Sequence, residues 1–311
     1  MDKQIFIGID LGGTNIKGVL IDSDGNVIEK LETPTKDSSE GVGDQWKNSI
    51  YEMVHTLSNR SKKPIAAVGI SAPGIVDGKN ESILSMPGRL QGLENFKWAD
   101  FLELKEIPIR VVNDAQAALM AESAFGAAKG YKHVVLLTLG TGVGGGILID
   151  GKLYQGHFQR AGHVGHISLD KDGPIGITNI PGGLEESIGN ASLVRRSDGR
   201  FESTADLLNA SKGGDYHATY VWLDSVRKLA IAICGLINAF APEVVILGGG
   251  ITNTGDNLFE PLEQFKALYE WQPSGVVTPI KLAKFNELSG AIGAAGFAYS
   301  MLSHKYDKSR K

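Results

Sequence analysis

Ile5-Phe6-Ile7-Gly8-Ile9-Asp10-Leu11-Gly12-Gly13-Thr14-Asn15-Ile16-Lys17-Gly18 decides how this chain is read. A short apolar run ends in an aspartate. Two glycines, a threonine and a lysine follow, and then Val19-Leu20-Ile21-Asp22. The pattern is strand, tight turn, strand. Asp24-Gly25-Asn26 makes the next turn and Val27-Ile28 opens a third strand. No side chain obstructs the turn at Gly12-Gly13, so its backbone N–H groups can approach a phosphate closely. A carboxylate at the end of a buried strand is costly unless it has a partner. A magnesium ion, reached directly or through water, is one partner that fits Asp10.

A second copy of the pattern turns a glycine-rich hairpin into a fold-level signal. Val134-Val135-Leu136-Leu137-Thr138-Leu139 runs into Gly140-Thr141-Gly142, and Val143-Gly144-Gly145-Gly146-Ile147-Leu148-Ile149-Asp150 returns. Gly18 to Asp22 and Gly146 to Asp150 correspond almost residue for residue. Internal similarity of this kind points to duplicated halves. Each half offers a glycine turn, and the expectation is two lobes holding one polyphosphate between them. Neither turn has the Walker or dinucleotide-binding spacing, since each leads into a strand and not a helix.

A chain of 311 residues has room for two domains and a large core. Its hydrophobic share of 42% and charged share of 21% are those of a globular protein. A net charge of −4 without a basic block argues against a nucleic-acid partner. Cys234 is the single cysteine, so an intramolecular disulfide is excluded, and its apolar helical surroundings suit a buried thiol. The first residues lead directly into a strand with no signal-peptide pattern, and the most apolar stretch, Leu229 to Ala241, is too short to span a bilayer. These features predict a cytoplasmic protein with no membrane partner.

Taken in order, Val42, Trp46, Ile50, Val54 and Leu57 have helical spacing. Ala66 to Ile70 reads as a buried strand ending in the turn Ser71-Ala72-Pro73-Gly74. Residues 75–100 read as loop-rich, with turns at Asp77-Gly78 and Pro87-Gly88, and Trp98 to Leu104 as a short helix. The strand Ile109 to Val112 runs into Asn113-Asp114, which opens a helix from Ala115 to Phe125, closed by Gly126 and expected to lead from the first domain into the second. Asp114 suits an N-cap. It also stands where an α/β sheet places its ligand groups. Gly156 to Ile167 carries His163 and His166. Zinc takes four ligands. No cysteine is near, so contact with a sugar or other polar substrate is favoured over metal, with structural histidines as the plain alternative. Residues 185–228 are polar and helical. Leu229 to Ala241 reads as a buried helix ended by Pro242, and Glu243 to Ile251 as a strand with a third glycine turn that offers a flat face to a planar ring. Ile280 to Lys284 reads as the last strand. Leu288 to Ala298 reads as a helix with small residues on one face, expected to return to the first domain, and the residues from His304 as a charged, solvated tail.

Together these motifs resemble the sugar kinases of the ROK family (repressors, open reading frames and kinases), within the actin/hexokinase/Hsp70-like superfamily. The resemblance runs from Ile5 to about Ser300. It is carried by Asp10 to Lys17, Ser71 to Gly74, Asn113-Asp114-Ala115, Gly140 to Gly146, Ala161 to His166 and Leu247 to Gly250. It implies an α/β, two-lobed actin/hexokinase-like fold (ribonuclease H-like, duplicated) with the ligand cleft between lobes. Residues 1–117 and 290–311 are expected to form one lobe and 118–289 the other. The implied activity is ATP-dependent phosphorylation of a hexose or N-acetylhexosamine at O6, glucokinase-like, with ATP and Mg²⁺. Gly12, Gly13, Thr14 and Lys17, with Thr141 and Gly142, would flank the phosphates. Gly249 and Gly250 would lie by the adenosine, and Asp10 would hold magnesium through water. Asp114 would be the catalytic base, and Gly74, Asn113, Asp114, His163, His166 and Glu185 would contact the sugar. A homodimer is a family-level expectation.

The chain departs from the family's pattern twice. The zinc run of three cysteines reads Gly176 to Gly183 here without a cysteine, so no structural zinc is expected, and Pro181 and the glycines must shape the loop. The usual Glu-x-Gly-His reads His163-Val164-Gly165-His166. A glutamate only accepts hydrogen bonds, whereas a neutral histidine donates one and accepts one. That change bears on which sugar is taken, and it motivates the alternative of a catalytically weak or inactive sugar-binding regulator. A repressor would need a helix-turn-helix before Ile5, and an actin- or chaperone-like ATPase is disfavoured by Asn113-Asp114 with His166.

Overall fold

The computed structural model describes residues 3–37, 45–86, 88, 90–104 and 106–308, with side chains as far as 302. Val42, Pro87 and the side chains of the expected tail from His304 lie outside the described residues. The contacts divide the chain into two units, one of Met1–Gly130, Gln155–Arg160 and Glu287–Lys311, the other of Tyr131–Tyr154 and Ala161–Asn286.

In the first unit β1 (Ile5–Leu11), β2 (Asn15–Asp22) and β3 (Val27–Pro34) form an antiparallel meander. Helix α1 (Gln45–Arg60) then buries Trp46, Ile50, Met53, Val54 and Leu57, the stripe its spacing predicts. β4 (Ile65–Ala72) pairs parallel to β1. The stretch read as loop contains a two-stranded ribbon, β5 (Ile75–Val76) and β6 (Ile83–Ser85), and α2 stops at Trp98–Phe101. β7 (Ile109–Asn113) pairs parallel to β4, giving the order β3-β2-β1-β4-β7. Helix α3 (Asp114–Phe125) lies wholly in this unit. The boundary expected at 117/118 lies within this helix, and the chain passes to the second unit at Tyr131.

The second unit repeats the plan. β8 (Val134–Leu139), β9 (Val143–Ile149) and β10 (Lys152–Leu153) are antiparallel neighbours. After the helices α4 (Leu184–Ile188), α5 (Leu193–Arg196), α6 (Thr204–Lys212) and α7 (Tyr216–Phe240), β11 (Val244–Gly248) pairs parallel to β8. Helix α8 (Asp256–Tyr269) then leads to β12 (Ile280–Leu282), parallel to β11. The order β10-β9-β8-β11-β12 is that of the first sheet, strand for strand. Helix α7 packs Val226, Leu229, Ile233 and Leu236 into the core of this unit.

Helix α9 (Ser289–Lys308) belongs to the first unit and continues ten residues past the end read from the sequence, into the expected tail. Its small residues have a packing cause. A Cβ on Gly8 or on Gly69 would stand 1.9 Å from the Ala291 or the Ala294 carbonyl oxygen. One on Gly293 would stand 1.7 Å from that of Ala117. Hydrogen in place of a side chain lets α9 lie directly on β1, β4 and α3.

Candidate active site

Register on the first sheet surrounds Asp10. Lys17 stands opposite it on β2 and Ser71 beside it on β4. Ser71, fully buried, donates its Oγ hydrogen to Asp10 Oδ1 at 2.7 Å. On another side Gly290 comes so close that a Cβ there would lie 2.3–2.5 Å from the carboxyl group. Burial is the main cause that raises the Asp10 carboxyl to about 6, and the Asp114 charge adds to it, while Ser71 and Lys17 pull the other way. A buried carboxylate in that condition favours a cation. Magnesium takes one or two carboxylates together with water and substrate phosphates, so the donor set here fits it.

β7 runs straight into α3, and the junction sorts its two polar residues. Asn113, not Asp114, is the N-cap: its Oδ1 accepts from the Ala115 and Gln116 N–H groups at 3.0 and 3.3 Å. Its amide donates to the Gly74 carbonyl at 3.1 Å, and its side chain also hydrogen-bonds the Asp114 carboxyl. Asp114 occupies the first helical position, where its Oδ1 accepts from the Ala115 N–H at 2.8 Å, and it remains exposed. Desolvation by the surrounding protein still pushes its carboxyl above the usual carboxylate range, against the pull of Ala115 and Asn113. Gly74 has φ +102°, and a Cβ there would meet the Ser85 carbonyl oxygen at 2.5 Å.

The glycine turns are built alike. The Gly12 N–H closes its own turn onto the Asn15 carbonyl, and the Gly140 N–H closes onto that of Gly142. Among the described residues, the N–H groups of Gly13 and Thr14, and those of Thr141 and Gly142, have no acceptor. Each turn thus presents two adjacent donors, the arrangement that binds phosphate oxygens. Gly12, expected to be a phosphate contact, instead spends its N–H on the turn. Lys17 is mostly buried, 4.0 Å from Glu287.

The second unit carries the remaining expected residues. Glu185, expected at the sugar, accepts the Val143 N–H on Oε2 at 3.0 Å and takes the space a side chain on Gly142 would need. It supports the second turn whatever else its other oxygen does. Thr141, Gly142, Glu185, Glu186, Ser192 and Arg195 border a recess of about 400 Å³. His163 precedes a 3₁₀ turn, Val164–His166, that ends on His166, and the two rings are stacked with centroids 6.1 Å apart. Gly165 between them packs on Val143, where a Cβ would lie 2.1 Å from a carbonyl oxygen. Gly249 has φ +89° and abuts the end of β8, while Gly250 faces open space. Cys234 is buried, and its thiol is pushed up to about 11, chiefly by burial.

The ROK family model matches residues 6–300 of this chain. The chain belongs to the ROK family. Its relatives include the glucokinase of Streptomyces coelicolor, 31% identical over 94% of this chain and 96% of that one. The N-acetylmannosamine kinase of Escherichia coli is 28% identical over 93% and 96%. A ROK family glucokinase from Streptomyces griseus in complex with glucose and AMPPNP has the same fold, with a TM-score of 0.77, 27% identity and coverage of 95% and 99%.

As a ROK protein without the cysteine run, the chain holds residues 168–183 by backbone. Leu169 donates to the Gly182 carbonyl, Gly182 to that of Pro174 and Gly176 to that of Ile180, while Ser168 Oγ donates to the Pro181 carbonyl. Gly182 has φ +60°, and a Cβ there would lie 2.0 Å from the Asp170 carbonyl oxygen. Among the described residues no group of three His, Cys, Asp or Glu side chains is placed to hold a metal ion. Sequence reasoning missed Ser71 as the partner of Asp10. Its position at the end of the neighbouring parallel strand was the available signal.

Proposed function

We propose that this ROK protein is a sugar kinase that transfers the terminal phosphoryl group of ATP to the O6 hydroxyl of a hexose or N-acetylhexosamine, with Asp114 as the general base. The observation that carries the assignment is the division of labour at the β7–α3 junction. Asn113 takes over the cap, so Asp114 remains exposed with a carboxyl raised toward the working pH. The N–H pairs at Gly13-Thr14 and Thr141-Gly142 would bind phosphate oxygens, and Lys17 would add a positive charge at the first turn. Asp10, held by Ser71, would engage magnesium, which supplies neutralisation of the charge on the transferring phosphates. Phosphoryl transfer depends mostly on such positioning and charge compensation. Asp114 would accept the hydroxyl proton as the new bond forms, and Asn113, His163, His166 and Glu185 would orient the sugar. Gly249 and Gly250 would face the adenosine.

His163 gives this pocket a group that can donate as well as accept, where the family's pattern has an acceptor alone. An acetamido carbonyl needs a donor, so N-acetylhexosamines belong beside glucose in the substrate panel. A cytoplasmic homodimer is part of the same proposal. Asp114→Asn keeps the side-chain shape and removes the base. We expect kcat to fall by about 10²–10⁴-fold while sugar binding, read by calorimetry, persists. A kcat near that of the unaltered protein would remove Asp114 from this role. Turnover of no sugar in the panel would favour the inactive regulator.

A further inference from the structure

We propose that Arg196 is a positioning residue for the second glycine turn, acting through the segment 189–192. The guanidinium of Arg196, at the end of α5, makes three contacts. Its Nε donates to Ser192 Oγ at 3.0 Å, one terminal nitrogen to the Gly189 carbonyl at 3.1 Å and the other to Ser225 Oγ on α7 at 2.5 Å. Ser225 is buried in α7 and donates to the Val221 carbonyl, so the anchor is rigid. Ser192 in turn donates to the Gly189 carbonyl at 2.9 Å. Two donors of the fork therefore fix both ends of a four-residue strap, and the third ties it to the longest helix of the unit.

The strap lies on the turn. The Asn190 N–H donates to the Gly140 carbonyl and the Ala191 N–H to that of Thr141, both at 2.9 Å. Gly189 is in contact as well: a Cβ there would lie 2.8 Å from the Thr141 carbonyl oxygen and 3.3 Å from the Gly142 Cα. With these two carbonyls pinned, the peptide planes are set, and with them the direction of the unused Thr141 and Gly142 N–H groups. Arg196 makes no hydrogen bond to a carboxylate among the described residues. Its partners are three neutral oxygens arranged to fit a planar fork, a pattern a lysine cannot reproduce. A pair of N–H groups aimed in advance loses no energy to reorganisation when an anion arrives.

The proposal rests on reading Thr141-Gly142 as a phosphate turn, and the experiment separates the two. Arg196→Ala, Arg196→Lys and Ser225→Ala are compared with Gly142→Ala, all assayed well below their measured melting temperatures. Removing the guanidinium should raise KM for ATP by about 10-fold or more and leave KM for the sugar within about 2-fold. Arg196→Lys and Ser225→Ala, each keeping part of the network, should fall between. Calorimetry with ADP and with adenosine should show the loss for ADP alone. An equal rise in both KM values, or a lower melting temperature with both unchanged, would overturn the positioning role. If Gly142→Ala raises KM for ATP and the Arg196 variants do not, the turn keeps its function and Arg196 loses its part. If Gly142→Ala changes nothing, the phosphate reading of the turn fails first, and the proposal with it.

Discussion

Replacing Asp10 by asparagine should make the protein more stable as it destroys activity, and the gain should depend on pH. The carboxyl stands at about 6 in the fold against an ordinary 3.8. An acid whose folded pKa lies above its unfolded value penalises the fold wherever it is ionised in both states. The penalty is full above the folded pKa and vanishes below the unfolded one. The displacement corresponds to about 3 kcal/mol at pH 8, at about 1.4 kcal/mol per pH unit, and to about half of that at pH 5. The value of about 6 already includes the pull of Lys17 and Ser71, and asparagine keeps an oxygen for the Ser71 hydroxyl, so a net gain of about 2–3 kcal/mol is expected at pH 8. Urea unfolding of both proteins, without nucleotide or magnesium, measures it through the midpoint at unchanged m. Equal stability at pH 8, or the same gain at pH 5 as at pH 8, would refute the argument that burial sets this carboxyl. Magnesium with ATP should then stabilise the unaltered protein and not Asp10→Asn.

Three further outcomes are expected. Gly293→Ala sets a methyl group against the Ala117 carbonyl and should cost at least about 1–3 kcal/mol of unfolding free energy by denaturant titration. His163→Glu restores a pure acceptor, and the ratio of kcat/KM for glucose to that for N-acetylhexosamines should rise in a coupled ADP-release assay. Because residues 168–183 are held by backbone bonds, a zinc-selective chelator followed by excess magnesium should leave turnover at its starting value.

The two glycine turns and the duplication were legible because strands of period two and turns of Gly and Thr are local signals, and the repeated Gly-x-Leu-Ile-Asp fixed the pairing of the halves. Other elements depended on contacts between distant residues. Helix α8 is hidden by Pro261, which reads as a breaker. Proline lacks the N–H that would bond the Asn257 carbonyl four residues earlier, and the Trp222 indole on α7 donates to that carbonyl instead, at 2.9 Å. Nothing local announces such a rescue. The start of α7 had a local mark, since Asp215 accepts from the Ala218 N–H as its cap, but the polar first turns concealed it. At the site, the sequence could not say which of Asn113 and Asp114 would cap α3. It also could not show that Glu185 reaches back to Val143 across some forty residues of chain.

Position by position, the two copies differ in the residues that carry charge. In the first sheet the residue before the last of β1 is Asp10, with Lys17 across the hairpin and Ser71 on the parallel neighbour. In the second sheet the same place in β8 is Thr138, with Gly144 across the hairpin and Gly248 on the parallel neighbour. The register is retained and every charge is gone. What both copies keep is the turn with its two unused N–H groups. If both turns bind phosphate as proposed, backbone donors suffice in each, whereas holding a cation would need a carboxylate at this register position, which is Asp10 in the first copy and Thr138 in the second. The raised carboxyl of Asp114 lies in that same unit. The second copy, without the Asp–Lys–Ser trio, instead uses residues 185–196 to fix its turn through Glu185 and the 189–192 strap. On this argument, moving the trio into the second sheet, as Thr138→Asp with Gly144→Lys and Gly248→Ser, supplies the charges without a base like Asp114. It should not rescue turnover in Asp10→Asn, and a rescued kcat would show that the two copies are chemically interchangeable after all.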